Sequence, residues 1–282
     1  MNKRFGIFSA VVIAAALTLT GCSSSDSETT ESASCAKADL ATVTAGKLTI
    51  ATGEPAYYPW VIDDKPEAGA GFEAAVAYAV AEKLGFAKED VIWVRTTFDE
   101  AIAPGPKNFD FNLQQYSITE ERKANIDFST PYYETSQVVV TTSSSPAAAA
   151  TSIADLKNYL IGAATGTTSF NAIRDVIQPT QDALAFNSND DAKAALTNGQ
   201  VDAIVLDLPT ALYASCCELD GGVIIGQLPT ADKGDQFGLV LDKGSKLTAA
   251  VSKALDELRA DGTLAEIETK WLTADAGVPV LE

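Results

Sequence analysis

Two patterns of apolar residues, one typical of strands and one typical of helices, alternate along most of this chain. Between residues 47 and 54 the stretch "KLTIATGE" is rich in β-branched residues and ends in a glycine turn, which predicts a strand. The next segment changes to a helical period and stops at Gly85. Its apolar residues recur at every fourth position, at Phe72, Val76, Val80 and Leu84. A strand followed by such a helix is a usual opening of an α/β domain.

The same alternation starts again in the second half of the chain. The strand predicted at "QVVVTT" (137–142) leads into "SSSPAAAA". After it, "LIGAATGTTS" (160–169) and "VDAIVLDLPTALYA" (201–214) again predict strands that alternate with helical segments. A late helix is predicted from the spacing of Leu247, Val251, Leu255 and Leu258. This order predicts α/β domains with largely parallel sheets, and the restart after "SSSPAAAA" predicts two lobes.

The first residues have the pattern of an export signal. Lys3 and Arg4 precede the apolar run "FGIFSAVVIAAALTL", and the following "LTGC" resembles the lipobox of bacterial lipoproteins. We expect a signal peptide over 1–21 and acyl chains on Cys22; the alternative is an ordinary signal peptide with an unrelated cysteine. The segment 22–46 is polar and without apolar periodicity, which is typical of a flexible tether. These features predict an extracytoplasmic protein anchored to the cell membrane by lipid.

Composition limits the classes of function. Of 282 residues, 46% are hydrophobic and 21% charged, enough for one or two globular domains. The formal charge of −18 becomes −20 when residues 1–21, with two bases and no acid, are removed. A surface of this sign repels nucleic acids. The chain has no histidine, which excludes histidine-based nucleophile systems. We expect no metal, no cofactor and no nucleic acid partner.

Three cysteines remain once Cys22 carries lipid, and they allow one disulfide bond. We expect that bond to join Cys35 to either Cys216 or Cys217, and the sequence leaves open which. A bond between the adjacent pair requires a special local geometry and is less favoured. Without a histidine base, a cysteine nucleophile is not expected.

Polar clusters follow four of the predicted strands. Ligands of α/β proteins bind where the carboxyl ends of strands meet loops and helix N-termini. Arg122 offers a planar fork that pairs with a carboxylate through two hydrogen bonds, whereas Asp207 favours a cation. Such a site fits a zwitterion, and a free α-amino acid is the simplest zwitterion that a cell imports. The clusters are Glu54 with Tyr57, the turn from Gln114 to Arg122, Gly166-Thr167-Thr168, and Asp207.

Six stretches, taken in order and spacing, resemble one known family. They are "LTIATGEPAYYPW", "GFEAAVAYAVAEKLG", "SITEERKANIDFSTPYY", "GTTS", "NGQVDAIVLDLPTA" and "LDELRADGTLAEIETKW". Over about residues 47–272 the chain is similar to the polar amino acid family of ABC-transporter solute-binding proteins. The resemblance implies a type II periplasmic-binding fold (Venus flytrap), in which two α/β lobes joined by two hinge strands close around a ligand. It implies a monomeric receptor rather than an enzyme, with a free amino acid and an ABC permease as partners.

The resemblance also divides the chain. The first lobe would comprise 47–139 and 238–275, and the second lobe 140–237. The hinge strands would lie near "VVVTT" and "KGDQF", and a C-terminal tail would follow over 276–282.

Roles for the polar clusters follow from the same resemblance. Arg122 would bind the α-carboxylate of the ligand, helped by the Ser117 hydroxyl and by Thr167 on the opposite lobe. Asp207 would bind the α-ammonium group, together with a backbone carbonyl near Gln115. The remaining candidates would surround the ligand: Tyr57 and Phe98 flank its side chain, Glu54 reaches a distal group, and Thr168 and Gln114 complete the pocket.

The sequence departs from the family pattern at two places. Gln114 and Gln115 stand where many members have small residues, so the pocket wall is bulkier and more polar. Ala164 stands where some glutamine binders have a lysine. Without that cation, and with Glu54 present, an acidic ligand meets repulsion, which favours a neutral polar or a cationic amino acid.

Each candidate also has a purely structural interpretation. Asp207 and the two threonines are good helix caps, the aromatic residues could fill a core, and Glu54 could be a surface acid. Two rival functions share the fold. An enzyme, a dehydratase or lyase, would need an acid or base such as Glu54 near the reacting bond. A sensor would signal through a membrane partner without transport.

Overall fold

The computed structural model describes residues 37–230, 234–272 and 277–282, and all of them fall in one compact unit, Ala33–Glu282. The predicted signal peptide, Cys22, Cys35 and most of the predicted tether lie outside the described residues. No helix in the described ranges is long and apolar enough to cross a membrane.

Strands and helices alternate as the sequence predicts. The strands are β1 (Leu48–Gly53), β2 (Val91–Thr96), β3 (Phe111–Asn112), β4 (Ile126–Phe128), β5 (Tyr133–Thr135), β6 (Gln137–Thr142), β7 (Ile161–Ala164), β8 (Leu184–Phe186), β9 (Ala203–Asp207), β10 (Gly222–Gln227), β11 (Asp235–Phe237) and β12 (Val240–Asp242). The α-helices are α1 (Phe72–Lys83), α2 (Phe98–Ile102), α3 (Glu120–Lys123), α4 (Ile153–Leu156), α5 (Thr168–Ala172), α6 (Asn189–Thr197), α7 (Leu208–Tyr213), α8 (Thr248–Ala260) and α9 (Thr263–Trp271).

The first lobe is a five-stranded sheet with strand order β2-β1-β3-β12-β4, on which α1, α8 and α9 pack. The apolar face predicted for α1 is confirmed, because Phe72, Val76 and Val80 are buried in this core. Gly71 precedes the helix with a φ of 104°, and a Cβ there would lie 2.4 Å from the Trp60 carbonyl oxygen. Only glycine allows the loop before α1 to approach its first turn so closely.

The second lobe is another five-stranded sheet, with strand order β10-β6-β9-β7-β8. Val139 and Val205 face a core on one side, while Val138, Val140 and Leu206 face a core on the other side. A sheet that is covered on both faces needs apolar residues at every position. This explains the continuous apolar runs "QVVV" and "AIVL".

Both sheets are mixed, which corrects the expectation of largely parallel sheets. β1 lies parallel to β2 and β3, and β7 lies parallel to β8 and β9. β12 and β6 each enter a sheet from the other lobe and run antiparallel to their neighbours there. Between the lobes, β5 and β11 form a two-stranded antiparallel ribbon. β6 belongs wholly to the second sheet, so the first crossing comes before it, earlier than the sequence indicated.

The last residues belong to the second lobe rather than forming a separate tail. The Gln227 amide donates to the Pro279 carbonyl at 2.8 Å, and the Leu281 amide donates to the Gln227 carbonyl at 2.9 Å. Leu281 is buried in the core of this lobe. The segment after α9 is short and has no apolar periodicity, so its packing against the second lobe could not be predicted from the sequence.

The disulfide expectation is corrected as well. Cys216 and Cys217 are bonded to each other, with their sulfur atoms 2.03 Å apart. Both lie in the π-helical turn Ala214–Glu218 that continues α7. This turn brings the adjacent sulfur atoms together, and neither is left to pair with Cys35.

Candidate functional site

A cavity of about 150 Å³ lies between the two lobes, at the strand ends that the sequence indicated. All ten candidate residues line it. They are Glu54, Tyr57, Phe98, Gln114, Gln115, Ser117, Arg122, Thr167, Thr168 and Asp207. Their roles toward a ligand stay predictions.

Arg122 is held at one end of the cavity by neutral groups. Thr119 caps the N-terminus of α3, and its hydroxyl accepts from the Arg122 amide at 3.2 Å. The guanidinium donates to the Ser117 carbonyl at 2.7 Å and to the Gly166 carbonyl, on the other lobe, at 2.9 Å. It is only 8% exposed, and no carboxylate of the described residues lies within salt-bridge distance of it. Burial lowers the pKa of Arg122, yet an arginine stays charged at any physiological pH.

The turn at Gly166 completes this end of the cavity. Gly166 has a φ of 70°, and a Cβ there would lie 2.9 Å from Asp99 Oδ1 of the first lobe. The Thr167 hydroxyl accepts from the Phe170 amide at 3.1 Å and donates to the Ala164 carbonyl at 2.7 Å, so it caps α5. The Thr168 hydroxyl instead faces the first lobe, 3.1 Å from Ser117 Oγ.

Asp207 lines the cavity at the point where β9 runs into α7. Its side chain makes no cap hydrogen bond to that helix, although it stands at the capping position. Asp207 Oδ1 accepts from Gln137 Nε2 at 2.8 Å. Burial, together with repulsion from Asp235, raises the pKa of Asp207 to about 7, against the opposing effects of Gln137 and Arg122.

Two residues beside Asp207 were not among the sequence candidates. Gln137 is the first residue of β6, and Asp235 is the first residue of β11, so both lie on segments that join the lobes. Gln137 Nε2 donates to Asp235 Oδ2 at 2.6 Å. A polar residue at the head of the apolar run "QVVV" was the available signal for Gln137.

Gln115 is held in place by hydrogen bonds to Glu73 of α1. It has a φ of 52°, and its backbone amide donates to Glu73 Oε1 at 2.8 Å. Its side-chain amide and the Tyr132 hydroxyl also donate to the Glu73 carboxylate. Burial raises the pKa of Glu73 to about 7, while these donors lower it. The neighbouring Gln114 accepts through Oε1 from the Tyr116 hydroxyl at 2.9 Å.

The two predicted flanking aromatic residues take different positions. Phe98 lies against Arg122, with the guanidinium carbon 5.2 Å from the ring centroid. Tyr57 extends from the first lobe toward α6, where Lys193 Nζ lies 5.5 Å from its ring centroid. Burial and the nearby Asp190 raise the pKa of Tyr57 to about 12.

The lobes also touch outside the cavity. Trp60 Nε1 donates to Thr210 Oγ1 at 3.0 Å, and the rings of Tyr58 and Tyr213 have centroids 3.9 Å apart. Each pair joins the first lobe to the second. The lobes are therefore in direct contact outside the cavity, between the 58–60 loop of the first lobe and α7 of the second.

Negative charge exceeds positive charge around the cavity. Three acids line it, Glu54, Asp99 and Asp207, against the single cation Arg122 among the described lining residues. The described residues hold no group of three or more histidine, cysteine, aspartate or glutamate side chains that could bind a metal ion. The cavity lining thus combines one buried cation, Arg122, with the carboxylate of Asp207 and with two exposed carboxylates, Glu54 and Asp99.

Known proteins with similar sequences and structures are named for binding amino acids. The L-arginine-binding protein of Pseudomonas aeruginosa is 30% identical over 230 residues, which cover 79% of this chain and 86% of that protein. The L-cystine-binding protein TcyJ of Escherichia coli is 30% identical over 207 residues, 73% of this chain and 75% of that protein. A solved structure of an ancestral arginine-binding protein bound to arginine has a TM-score of 0.68 and 32% identity, covering 80% of this chain and 98% of that one.

All three relatives are named for binding an amino acid and none for a reaction. The family described as bacterial extracellular solute-binding proteins, family 3, matches residues 48–274, most of the chain and both lobes. The fold, with its two mixed sheets and crossing segments, is that of a type II periplasmic-binding protein. This chain belongs to the bacterial extracellular solute-binding proteins, family 3.

Proposed function

We propose that this protein captures a free amino acid with a cationic side chain between its lobes and delivers it to an ABC importer. One observation carries the proposal: the buried Arg122 has only neutral partners at salt-bridge distance among the described residues, and it lines a cavity that Asp207 also lines. A buried cation without a counterion is costly. The α-carboxylate of an amino acid would supply the counterion, and its ammonium group would meet Asp207.

The preference for a cationic side chain rests on the charges that remain. With the α-carboxylate at Arg122 and the ammonium at Asp207, Glu54 and Asp99 are left to face the ligand side chain. Two carboxylates attract a guanidinium or ammonium group and repel a third carboxylate. Two of the relatives are named for arginine, which agrees with this preference, whereas the third is named for cystine.

Capture would take place outside the cytoplasm, on a protein anchored through Cys22. The family is described as extracellular. The anchor rests on the "LTGC" pattern alone, and the permease partner rests on the family resemblance. Labelling with a radioactive fatty acid tests the anchor: Cys22→Ala should remove the label, while Cys35→Ala should leave it.

A thermal melt across the twenty amino acids, ornithine and citrulline tests the ligand. A ligand that binds only the folded state raises the melting temperature, by an amount equivalent to about 2.7 kcal/mol at a hundredfold excess over its Kd. We expect the largest rises with arginine, lysine or ornithine. A largest rise with glutamate, or no rise with any amino acid, would contradict the proposal.

Two further assays separate the rival functions. Incubation with the ligand should return it unchanged, and the appearance of a product would establish an enzyme instead. Deletion of the gene should abolish high-affinity uptake of the ligand by whole cells. Intact uptake with a changed cellular response would favour the sensor.

A further inference from the structure

The Gln137 amide is oriented without ambiguity by its three neighbours. An amide group has two N–H donors and one carbonyl acceptor, and a carboxylate can only accept. Ser169 Oγ donates to Gln137 Oε1 at 2.6 Å. Gln137 Nε2 lies 2.8 Å from Asp207 Oδ1 and 2.6 Å from Asp235 Oδ2. The two N–H groups therefore point at the two carboxylates, and the more distant Thr168 Oγ1, at 3.3 Å, is a minor partner.

Asp235 stands behind the cavity rather than in it. It is absent from the cavity lining, where Asp207 is present. Its backbone pairs with Thr135 in the ribbon between the lobes. Its carboxylate also lies 3.4 Å from the hydroxyl of Ser117, on the first lobe. Any influence on a ligand ammonium therefore passes mainly through Gln137 and Asp207.

We propose that Asp235 is a positioning residue of the ammonium subsite: it fixes the Gln137 amide, which in turn fixes the carboxylate of Asp207 toward the cavity. The ligand in this inference is taken from the proposed function, whereas the hydrogen bonds on which it stands do not depend on that function. It gives the segment between the lobes a direct part in recognition, since Asp235 joins Gln137 of the second sheet to Ser117 of the first lobe.

The charges around Asp207 give this arrangement a measurable signature. Asp235 and Glu73 disfavour the ionised form of Asp207, and Arg122 favours it. Tyr132, whose ionisation Asp207 also disfavours, is neutral because burial keeps its pKa well above the ordinary value. Removing the charge of Asp235 should therefore make Asp207 easier to ionise. A residue whose charge did not reach Asp207 would leave this titration unchanged, and the loss of affinity in Asp235→Ala then tests the positioning.

The test uses the purified full chain, with L-arginine as the probe. Asp235→Ala removes both the acceptor and the charge, and we expect its Kd to rise about tenfold at pH 8, the scale of one hydrogen bond to a charged group. Asp235→Asn keeps an acceptor for Gln137, so its Kd should rise less. The loss of affinity of Asp235→Asn relative to the wild type should become smaller from pH 8 to pH 6, because Asp207 stays ionised to a lower pH in this variant. Gln236→Ala, on the same strand with a half-buried side chain directed at Glu134 and not at Asp207, is the control and should match the wild type.

A second measurement does not depend on any ligand. Carbon-13 NMR can follow the titration of the Asp207 carboxyl in the ligand-free protein, with its signal assigned by Asp207→Asn. We expect the midpoint to fall in Asp235→Asn relative to the wild type. An unchanged midpoint, or wild-type affinity in Asp235→Ala, overturns the inference. If no amino acid binds the wild type, the proposed function fails, while the NMR titration still decides whether the charge of Asp235 acts on Asp207.

Discussion

Two charged residues of the cavity lining, Arg122 and Asp207, respond to pH in different ways. Arg122 is buried among backbone carbonyls and an aromatic ring, and as an arginine it keeps its charge at any physiological pH although burial lowers its pKa. Asp207 lies beside a second acid, and its pKa is raised to about 7. The positive charge of the cavity is therefore permanent, whereas the negative charge of Asp207 depends on pH. This difference predicts which substitutions abolish binding and which only modulate it.

Arg122→Ala should have the largest effect on affinity. Truncating one partner of a buried, hydrogen-bonded charge pair costs about 2–5 kcal/mol, or roughly 30-fold to several thousandfold in Kd. Isothermal titration with L-arginine measures the change. The matched control is Arg95→Ala, since Arg95 also lies in the first lobe but pairs with Asp64 and does not line the cavity. Binding of Arg122→Ala at wild-type affinity would reject the carboxylate site.

Asp207→Asn should weaken binding by about 2 kcal/mol, or roughly 30-fold, because it removes the charge but keeps an acceptor for the ammonium group. The control is Asp202→Asn. Asp202 directly precedes β9, at the opposite end from Asp207, and its carboxylate accepts from the Leu160 amide, away from the cavity. Equal affinities for wild type and Asp207→Asn at pH 8 would move the ammonium subsite elsewhere.

The pH dependence of binding should come from Asp207. A carboxyl with a raised pKa loses its charge as the pH falls through that raised pKa. With a pKa of about 7, Asp207 should make the Kd rise as the pH falls below 7, up to a limit near the roughly 30-fold loss of Asp207→Asn, while the Kd levels off above pH 8. Asp207→Asn should show a much flatter profile. A steep profile that survives in this variant would assign the titration to another group, of which Glu73 is the first to test.

Much of this architecture could be predicted from the sequence, because its determinants are local. The four-residue spacing of apolar residues identifies α1, whose apolar face is buried. The apolar run of β9 identifies a strand that ends at the cavity-lining Asp207. Arg122 and Asp207 follow short strand patterns in a known order, and the structure brings them to one cavity. Where a residue directly follows a strand or begins a helix, its position in the fold follows from the element itself.

What could not be predicted depends on contacts between distant segments. Asp235 lies on a strand of three residues, too short to show a period, and its partner Gln137 is 98 residues away. The return of Leu281 to the second lobe has the same cause. The bond between Cys216 and Cys217 depends on a π-helical turn that no sequence pattern indicated.

Glu54→Gln should have the smallest effect, and the effect should depend on the ligand. Glu54 is exposed at the cavity mouth, so its attraction for a ligand cation is screened and amounts to about 0.2–1 kcal/mol, a few-fold in Kd. Binding of arginine should weaken by that factor, while binding of glutamine should stay the same. Glu67→Gln, an exposed acid outside the cavity, should change neither. Equal losses for both ligands would mean that Glu54 shapes the cavity rather than selecting charge, and the cationic preference would then rest on Asp99.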